Sequence, residues 1–241
     1  MRKRTRLIVA MAVLAAACVV PATVLVRQLA VRGYQTMKGN TTIAERVAEY
    51  GPAVRARLAE DFKRVGVAYP PRKITLIGLK QERRLEVWVA NADARFNLLR
   101  SYPILAASGR LGPKLKEGDR QVPEGLYAIE SLNPNSLYHL ALRVNYPNAQ
   151  DRARAQAEGR TNLGGDIMIH GSNVSVGCLA MGDEAAEDLL VLAAETGIAN
   201  IAVILSPVDF RVRDLPPDRP ASPEWVAELY GQIRAKLATV R

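Results

Sequence analysis

A run of twenty uncharged residues near the N-terminus most constrains this chain. Residues 7–26 read LIVAMAVLAAACVVPATVLV. At about 1.5 Å of rise per residue, a helix of this length spans the roughly 30 Å hydrocarbon core of a membrane. Four basic residues precede the run within residues 1–6, and positive charge beside a first apolar helix stays cytoplasmic. We therefore predict a cytoplasmic segment over 1–6, a transmembrane signal anchor over 7–26 and export of the rest of the chain.

Two other fates of this segment stay open. A cleaved signal peptide normally has a shorter apolar stretch and a small-residue cleavage site, and this run is longer and has no convincing site. The three alanines before Cys18 faintly resemble a lipid-acceptor site, but the apolar run continues past that cysteine. In each case the bulk of the chain is exported, and we favour the uncleaved anchor.

The net charge of +9 first suggests a nucleic-acid partner, but its distribution argues otherwise. Residues 111–241 hold 13 basic and 17 acidic residues, so the positive excess lies in the N-terminal part of the chain. A nucleic-acid binder would carry that excess on its folded surface. We predict no nucleic-acid partner, and we assign the basic excess to membrane topology and to anionic lipid or cell-wall groups.

A spacer and a helical segment are predicted over 27–71. The helix opens at a capping box that begins with Thr42, and its apolar residues recur at helical spacing as far as Val65. Gly51 and Pro52 lie inside this pattern and predict a break there.

Short runs with period-2 alternation come next in the chain and predict strands. They cover 74–79, 85–90, 96–106, 125–130, 138–144, 166–170 and 201–205. Two helices accompany them, one capped by Asp183 and ending at Gly197, and one opening at Ser222 and Pro223. The second belongs to a Pro-rich linker and C-terminal helix over 207–241. The predicted fold is mainly β, with a few flanking helices.

Residues 164–181, GGDIMIHGSNVSVGCLAM, form the segment with the clearest chemistry. His170 ends a short predicted strand, and Cys178 follows eight residues later in a loop flanked by glycines. A cysteine nucleophile acts as the thiolate, and a nearby histidine that takes the proton activates it. Backbone N–H groups in glycine-containing turns can stabilise an oxyanion. The pair therefore suggests acyl transfer, although a buried thiol and a turn histidine explain the same residues.

Other chemistry has less support in the sequence. Cys18 lies in the predicted membrane helix, so Cys178 has no disulfide partner. A lone thiol in an oxidising compartment is a liability unless it is buried or used. The only other histidine, His139, lies in a predicted strand, and no metal site or cofactor is expected.

The stretch IHGSNVSVGCLAM resembles the active-site signature of the L,D-transpeptidase catalytic domain (YkuD-type), in which HG is followed by S-x-G-C. The short spacing from histidine to cysteine and the Ala-Met after the cysteine are similar to its YafK-like branch. Segments 74–88, 109–125 and 138–148 are similar to that branch as well. The resemblance covers residues 72–206, and it implies a β-sandwich-like catalytic domain.

The resemblance also implies residue roles. Cys178 would be the nucleophile and His170 the general base, with the carbonyl side of Gly171 holding the imidazole. Gly177 and Cys178 would supply oxyanion N–H groups, and Ser175 would shape the loop. Candidates for the substrate groove are Tyr138, Tyr146 and Asn148.

The implied reaction acts on a peptidoglycan tetrapeptide stem. The cysteine attacks the carbonyl at the L-centre of the diamino acid, releases the terminal D-amino acid and passes the acyl group to an amine, which an envelope protein could also supply. The first alternative is an L,D-amidase or carboxypeptidase, in which water resolves the same thioester. The second is an envelope-anchored module that binds peptidoglycan without turnover. The implied location is the cell envelope, with the domain on the periplasmic or cell-wall side of the inner membrane.

Overall fold

The computed structural model describes residues 40–91, 95–217 and 221–240, which form one mixed eight-stranded sheet with four α-helices. The helices are α1 (Ile43–Val65), α2 (Ala149–Ala157), α3 (Asp183–Thr196) and α4 (Trp225–Ala238). The strands are β1 (Lys73–Leu79), β2 (Arg84–Ala90), β3 (Phe96–Pro103), β4 (Gly125–Ser136), β5 (His139–Val144), β6 (Met168–His170), β7 (Leu179–Ala180) and β8 (Ile201–Ser206). A 3₁₀ turn at Ile198–Asn200 precedes β8.

The predicted segments 1–6 and 7–26 lie outside the described residues. Among the residues that are described, none of the helices combines the length and the apolar character that crossing a membrane requires.

The sheet bends at its longest strand. Its order is β3-β2-β1-β8-β4-β5-β6-β7, and β1–β8 and β6–β7 are parallel pairs. The first four residues of β4 pair with β8, and the later ones pair with β5. Ala106, just after β3, bridges to Ala180 in β7. Strands β3 and β7 are the two edges of the sheet. Because the residues just after β3 bridge to β7, the two edges lie close together and the sheet is curled around its core.

Helices cover both faces of this sheet. Helices α1 and α3 bury their apolar residues in the larger core cluster, together with side chains from most of the strands. Helix α4 buries Val226, Leu229 and Ile233 in a second cluster with Ile77 and Ile204, which come from β1 and β8. Strands β1 and β8 are parallel neighbours in the sheet. A parallel strand that is buried on both faces has a nearly continuous apolar sequence, as KITLIGL in β1 and IAVILS in β8 have.

The mainly β prediction is confirmed in part. All seven predicted strands are present, but the helices contain 23, 9, 14 and 14 residues, so helical residues outnumber strand residues in the described part of the chain. Helix α2 was not predicted, because its sequence AQDRARAQA buries only Ala155 and has no apolar stripe to identify it. The two-residue strand β7 is too short to give an alternating pattern.

The predicted break in α1 is wrong. The helix begins at the expected capping box on Thr42 and runs through Pro52 without interruption. An interior proline costs about 3 kcal/mol. Val54, Leu58 and Phe62 are buried on one side of the helix, and each contributes roughly 1.5–3 kcal/mol through that burial. Packing therefore outweighs the cost of the proline.

Two predicted helix starts also differ from the structure. The N-cap of α3 is Gly182, and Asp183 is the first helical residue, with its Oδ1 accepting a hydrogen bond from Ser172 N at 2.7 Å. Helix α4 begins at Trp225, three residues after Ser222. The carboxylate of Asp183 is thus used by the loop after His170 and does not cap its own helix.

Candidate active site

The pairing of β6 with β7 brings His170 and Cys178 close together. Strands β6 and β7 pair Ile169 with Leu179 and His170 with Ala180. Ile169 and Leu179 are fully buried in the core, so the alternate positions belong to the opposite face. Cys178 immediately precedes β7 and lies two positions from the partner of His170. With about 3.3 Å of rise per residue and about 4.8 Å between strands, the two Cα atoms are roughly 8 Å apart.

Hydrogen bonding fixes the tautomer of His170. Its Nδ1 lies 2.6 Å from the carbonyl oxygen of Gly171, and a carbonyl only accepts, so Nδ1 carries the proton. Nε2 is left as a proton acceptor. The ring of Tyr138 covers the imidazole, with 4.8 Å between ring centroids and a tilt of 31°. Burial lowers the pKa of His170 below its ordinary value, and the hydrogen bond to Gly171 opposes that shift.

Position 171 has no room for a side chain. A Cβ added to Gly171 would lie 2.6 Å from Asp183 Oδ1 and 2.8 Å from the carbonyl oxygen of Tyr138. The N–H of Gly171 donates to Leu140 O at 3.1 Å, which ties this residue to β5. The backbone that orients the imidazole is therefore packed tightly between the start of α3 and the residue before β5.

Cys178 is half-buried, and its thiol lies against the backbone at the start of β6. The N–H of Met168 donates to Sγ at 3.3 Å, and Sγ lies 3.5 Å from the carbonyl oxygen of Asp166. Among the described residues, no hydrogen bond joins Sγ to His170. Catalytic hydrogen bonds are often long without substrate and tighten in the complex.

The electrostatic surroundings favour an uncharged thiol. Burial raises the pKa of Cys178 above its ordinary value, the Met168 N–H lowers it, the charge of Asp166 raises it and the charge of Lys114 lowers it. Because burial also lowers the pKa of His170, the resting pair is a neutral thiol and a neutral imidazole. The proton must therefore move when substrate is present.

Serine hydroxyls hold the loop that carries the nucleophile. Ser175 Oγ accepts from the N–H of Cys178 at 3.1 Å and donates to the carbonyl oxygen of Cys178 at 2.7 Å. The N–H of Gly177 donates to Ser108 Oγ at 2.7 Å. Gly177 has a φ of +84°, a conformation that favours glycine. Both N–H groups predicted to bind an oxyanion therefore donate to serine in this structure.

Two predicted groove residues have structural contacts instead of open surface. The side chain of Tyr146 is buried, and its hydroxyl donates to Lys114 O and Leu163 O, each at 3.3 Å. Asn148 is the N-cap of α2 and donates through Nδ2 to Leu126 O at 3.0 Å. Their role in lining the groove stays a prediction. Tyr138, by contrast, is exposed and lies directly on His170.

A buried ion pair anchors the loop that precedes β4. Lys80 Nζ lies 2.8 Å from Glu124 Oε1 and donates to the carbonyl oxygens of Gly112 and Val122. Glu124 Oε1 also accepts from the N–H of Gly112, and Oε2 accepts from the hydroxyl of Tyr230. This loop includes Ser108 at its start, so the contacts fix the segment that holds the Gly177 N–H.

Metal ligation is the other chemistry that side chains of these types can support. Within 40–91, 95–217 and 221–240, no group of three His, Cys, Asp or Glu side chains is placed to hold a metal ion. The candidate chemistry therefore rests on the thiol, the imidazole and the backbone around them.

A family model described as the L,D-transpeptidase catalytic domain, YkuD, matches residues 73–201, which is more than half of the chain. This chain belongs to that family. The resemblance to this family that the sequence indicates is therefore confirmed. The matched residues include both His170 and Cys178. The roles of these two residues within the L,D-transpeptidase domain are still predictions.

The relatives of this L,D-transpeptidase domain match it over part of their length. YafK of Escherichia coli K12 is 37% identical over 140 residues, which cover 56% of this chain and 53% of that protein. The chain thus spans about half the length of the curated relatives it matches.

Among solved structures, two examples are less similar in sequence to this chain than YafK is. The helical cell shape determining protein Pgp2 from Campylobacter jejuni has a TM-score of 0.47 and 22% identity, and the match covers 59% of this chain and 50% of that chain. Bd1075 from Bdellovibrio bacteriovorus has a TM-score of 0.41 and 21% identity, with 70% and 55% covered.

Sequence reasoning missed several contacts in the L,D-transpeptidase domain. Ser108 holds Gly177 from a segment 69 residues away in the chain, and no local pattern points to such a contact. Asp166 contacts Sγ through its backbone carbonyl, which any residue type could provide.

Proposed function

We propose that this chain catalyses acyl transfer on peptidoglycan, with Cys178 as nucleophile and His170 as general base. One observation carries the proposal: His170 Nδ1 donates to the carbonyl of Gly171, which leaves Nε2 as a base in the strand that pairs with the residues directly after Cys178. The family match over 73–201 supports the reaction class. We further propose that residues 72–206 are the catalytic domain and that the sheet curled at β4 is its β-sandwich-like fold.

In the first half-reaction, His170 Nε2 takes the proton of the Cys178 thiol as Sγ attacks the carbonyl carbon at the L-centre of the diamino acid. The resulting oxyanion collapses, and the C–N bond to the terminal D-amino acid breaks. The imidazolium returns its proton to the leaving amine. The products are a thioester on Cys178 and a free D-amino acid.

In the second half-reaction, an amine from another stem or from an envelope protein attacks the thioester. His170 takes a proton from that amine, the C–S bond breaks, and the thiolate recovers its proton from the imidazolium. Acyl transfer thus regenerates the neutral pair that the surroundings of the two side chains favour.

We assign oxyanion stabilisation to the N–H groups of Gly177 and Cys178. Each now donates to a serine hydroxyl, Ser108 and Ser175 respectively. A developing oxyanion is a stronger acceptor than a neutral hydroxyl, so it would draw these donors away from the serines. Loss of one such donor typically costs on the order of 10²–10³ in rate.

The same proposal includes the substrate and the cellular location of the chain. The substrate is a peptidoglycan stem peptide, with Tyr138 flanking it over His170. Tyr146 and Asn148 would act on the groove through the backbone that they fix. The site is in the cell envelope, held at the inner membrane by residues 7–26 with the domain on the outer side. Resistance of the full chain to alkaline extraction of membranes, lost on deletion of 7–26, tests the anchor.

The decisive test monitors products from a purified tetrapeptide by mass spectrometry, with and without an added amine acceptor. We expect a diamino acid to diamino acid link in its presence, and no processing by Cys178→Ala. Formation of hydrolysed product alone would assign the chain to the amidase or carboxypeptidase alternative, because water would then be the acceptor. Turnover that survives Cys178→Ala would refute both enzyme assignments. Tetrapeptide binding without any turnover by the wild type would favour the binding module.

A further inference from the structure

One peptide unit beside the imidazole makes hydrogen bonds at both of its ends. The carbonyl oxygen of Gly171 accepts from His170 Nδ1 at 2.6 Å, and the N–H of Ser172 donates to Asp183 Oδ1 at 2.7 Å. The carbonyl and the N–H belong to the same planar trans peptide, which directs them to opposite sides. The imidazole of His170 and the carboxylate of Asp183 therefore lie on either side of a single peptide bond.

The residues that open α3 hold the backbone at Ser172. Ser172 has a φ of +62°, a left-handed conformation that is uncommon for residues other than glycine. Its carbonyl oxygen accepts from the N–H of Gly182 at 2.9 Å, and its N–H donates to Asp183. The carboxylate thus supplies one of the two contacts that keep this conformation and direct the Gly171 carbonyl at the imidazole.

Asp183 makes this contact from the surface of the protein. It is the first residue of α3 and is exposed, so a change of its side chain leaves the core intact. Negative charge in the first turn of a helix is favourable, and Glu184 places a second carboxylate in that turn. In the described part of the chain, the hydrogen bond from Ser172 distinguishes Asp183 from Glu184.

The charge of Asp183 matters most when the base is protonated. When Cys178 gives its proton to Nε2 of His170, the ring becomes a cation whose Nδ1–H still donates to Gly171. Hydrogen bonds in a chain polarise one another, so a carboxylate at the N–H end of the peptide makes the carbonyl end a stronger acceptor. The Nδ1 proton stays on the ring. In a Ser-His-Asp triad the aspartate stabilises the imidazolium directly, whereas here one peptide bond lies between them.

We propose that Asp183 is a positioning residue for His170 and acts through the peptide between Gly171 and Ser172. Its carboxylate holds the carbonyl in line with Nδ1 and stabilises the imidazolium that forms during acyl transfer. The inference rests on the proposed function, because it takes His170 as the general base. It adds to the pair a third side chain, from a residue that follows the segment 164–181.

Kinetics with a tetrapeptide and an amine acceptor test this role. Asp183→Asn keeps an oxygen that accepts from Ser172 but removes the charge, and Asp183→Ala removes both. We expect kcat to fall about 3- to 10-fold for Asp183→Asn, the difference between a charged and a neutral acceptor. For Asp183→Ala we expect a fall on the order of 10²-fold, because the imidazole is displaced. KM stays near its wild-type value, since Asp183 does not contact the substrate.

The matched control is Glu184→Gln. It removes a carboxylate from the same first turn of α3, so it loses the same favourable interaction with the helix N-terminus. We expect this variant to keep the wild-type kcat.

NMR titration of the histidine rings gives a readout that a merely structural role for Asp183 would not move. The full chain carrying Cys178→Ala lets His170 titrate without a neighbouring thiol. Burial lowers the pKa of His170, and the hydrogen bond to Gly171 raises it. Asp183→Asn weakens that hydrogen bond, so we expect the midpoint of the His170 titration to move to lower pH.

The other histidine of the chain is an internal reference. The ring of His139 lies 3.1 Å from Glu187, and we expect its titration to stay in place when Asp183→Asn is added. Adding Glu184→Gln should leave the titration of His170 in place as well.

The outcomes separate this proposal from the catalytic one, because the titration needs no substrate. An unshifted His170 titration in Asp183→Asn would overturn the present proposal alone, even if the variant unfolds at lower urea concentration, and so would a wild-type kcat in Asp183→Ala. A shifted titration in a chain whose wild type processes no tetrapeptide would refute the catalytic proposal and support the contact through the peptide.

Discussion

The carbonyl of Gly171 orients the His170 imidazole, so a methyl group at position 171 tests how tightly that imidazole is held. In Gly171→Ala, the new Cβ would lie 2.6 Å from Asp183 Oδ1, 2.8 Å from Tyr138 O and 3.0 Å from His139 Cβ. The Asp183 carboxylate is the end of a side chain and can rotate away. The Tyr138 carbonyl is backbone, so either β5 or the Gly171 backbone has to shift.

The structure gives the size of both effects. Overpacking of this kind costs about 1–3 kcal/mol, and alanine recovers about 0.4–1 kcal/mol by restricting the unfolded chain. We therefore expect a net loss of about 1–2 kcal/mol in the free energy of unfolding. Activity falls further, because a displacement of about 1 Å at a reacting group costs on the order of 10²-fold. The hydrogen bond of 2.6 Å from Nδ1 to Gly171 transmits the shift to the imidazole.

Urea unfolding and tetrapeptide turnover measure the two effects separately. The matched control is Gly231→Ala, in the interior of α4, where an added Cβ meets nothing within 4 Å. Alanine in a helix interior gains about 0.5–1 kcal/mol over glycine, so the control gains stability and keeps its activity. Wild-type stability and turnover in Gly171→Ala would refute the tight packing on which the argument depends.

Three further predictions concern buried charge and pH. Lys80→Met leaves the charge of Glu124 unpaired in the core and should lower the free energy of unfolding, measured with urea, by about 3–5 kcal/mol. Adding Glu124→Gln should recover most of that loss. A double variant that is no more stable than Lys80→Met alone would contradict the prediction. Because burial raises the pKa of Cys178, its alkylation by iodoacetamide should rise with pH through a midpoint above the ordinary thiol value. Asp166→Asn removes a negative charge and should lower that midpoint, whereas an unchanged midpoint would contradict the role of Asp166. Because burial lowers the pKa of His170, turnover should fall only at pH values below the ordinary histidine range, where the base becomes protonated.

The predictable parts of the fold are those that local pattern controls. Strands such as β1 and β2 were predicted within one residue at each end, because apolar side chains and turn residues define them. The Pro52 position in α1 was misread because the proline's cost is local, whereas the burial that outweighs it comes from the rest of the fold. Strand β7 exists only through its pairing with β6 and the bridge to Ala106.

The same contrast between local pattern and tertiary pairing explains which parts of the site could be predicted from the sequence. His170 and Cys178 belong to one short motif, so their type and spacing were sufficient to propose acyl transfer. The side chains around them come from segments brought together by sheet order: Ser108 from the loop after β3, and Tyr138 from the turn before β5. Ser108 holds the Gly177 N–H from 69 residues away in the chain, so the geometry of the loop that bears Cys178 depends on the order of the strands, and the short motif that predicts the chemistry does not predict that geometry.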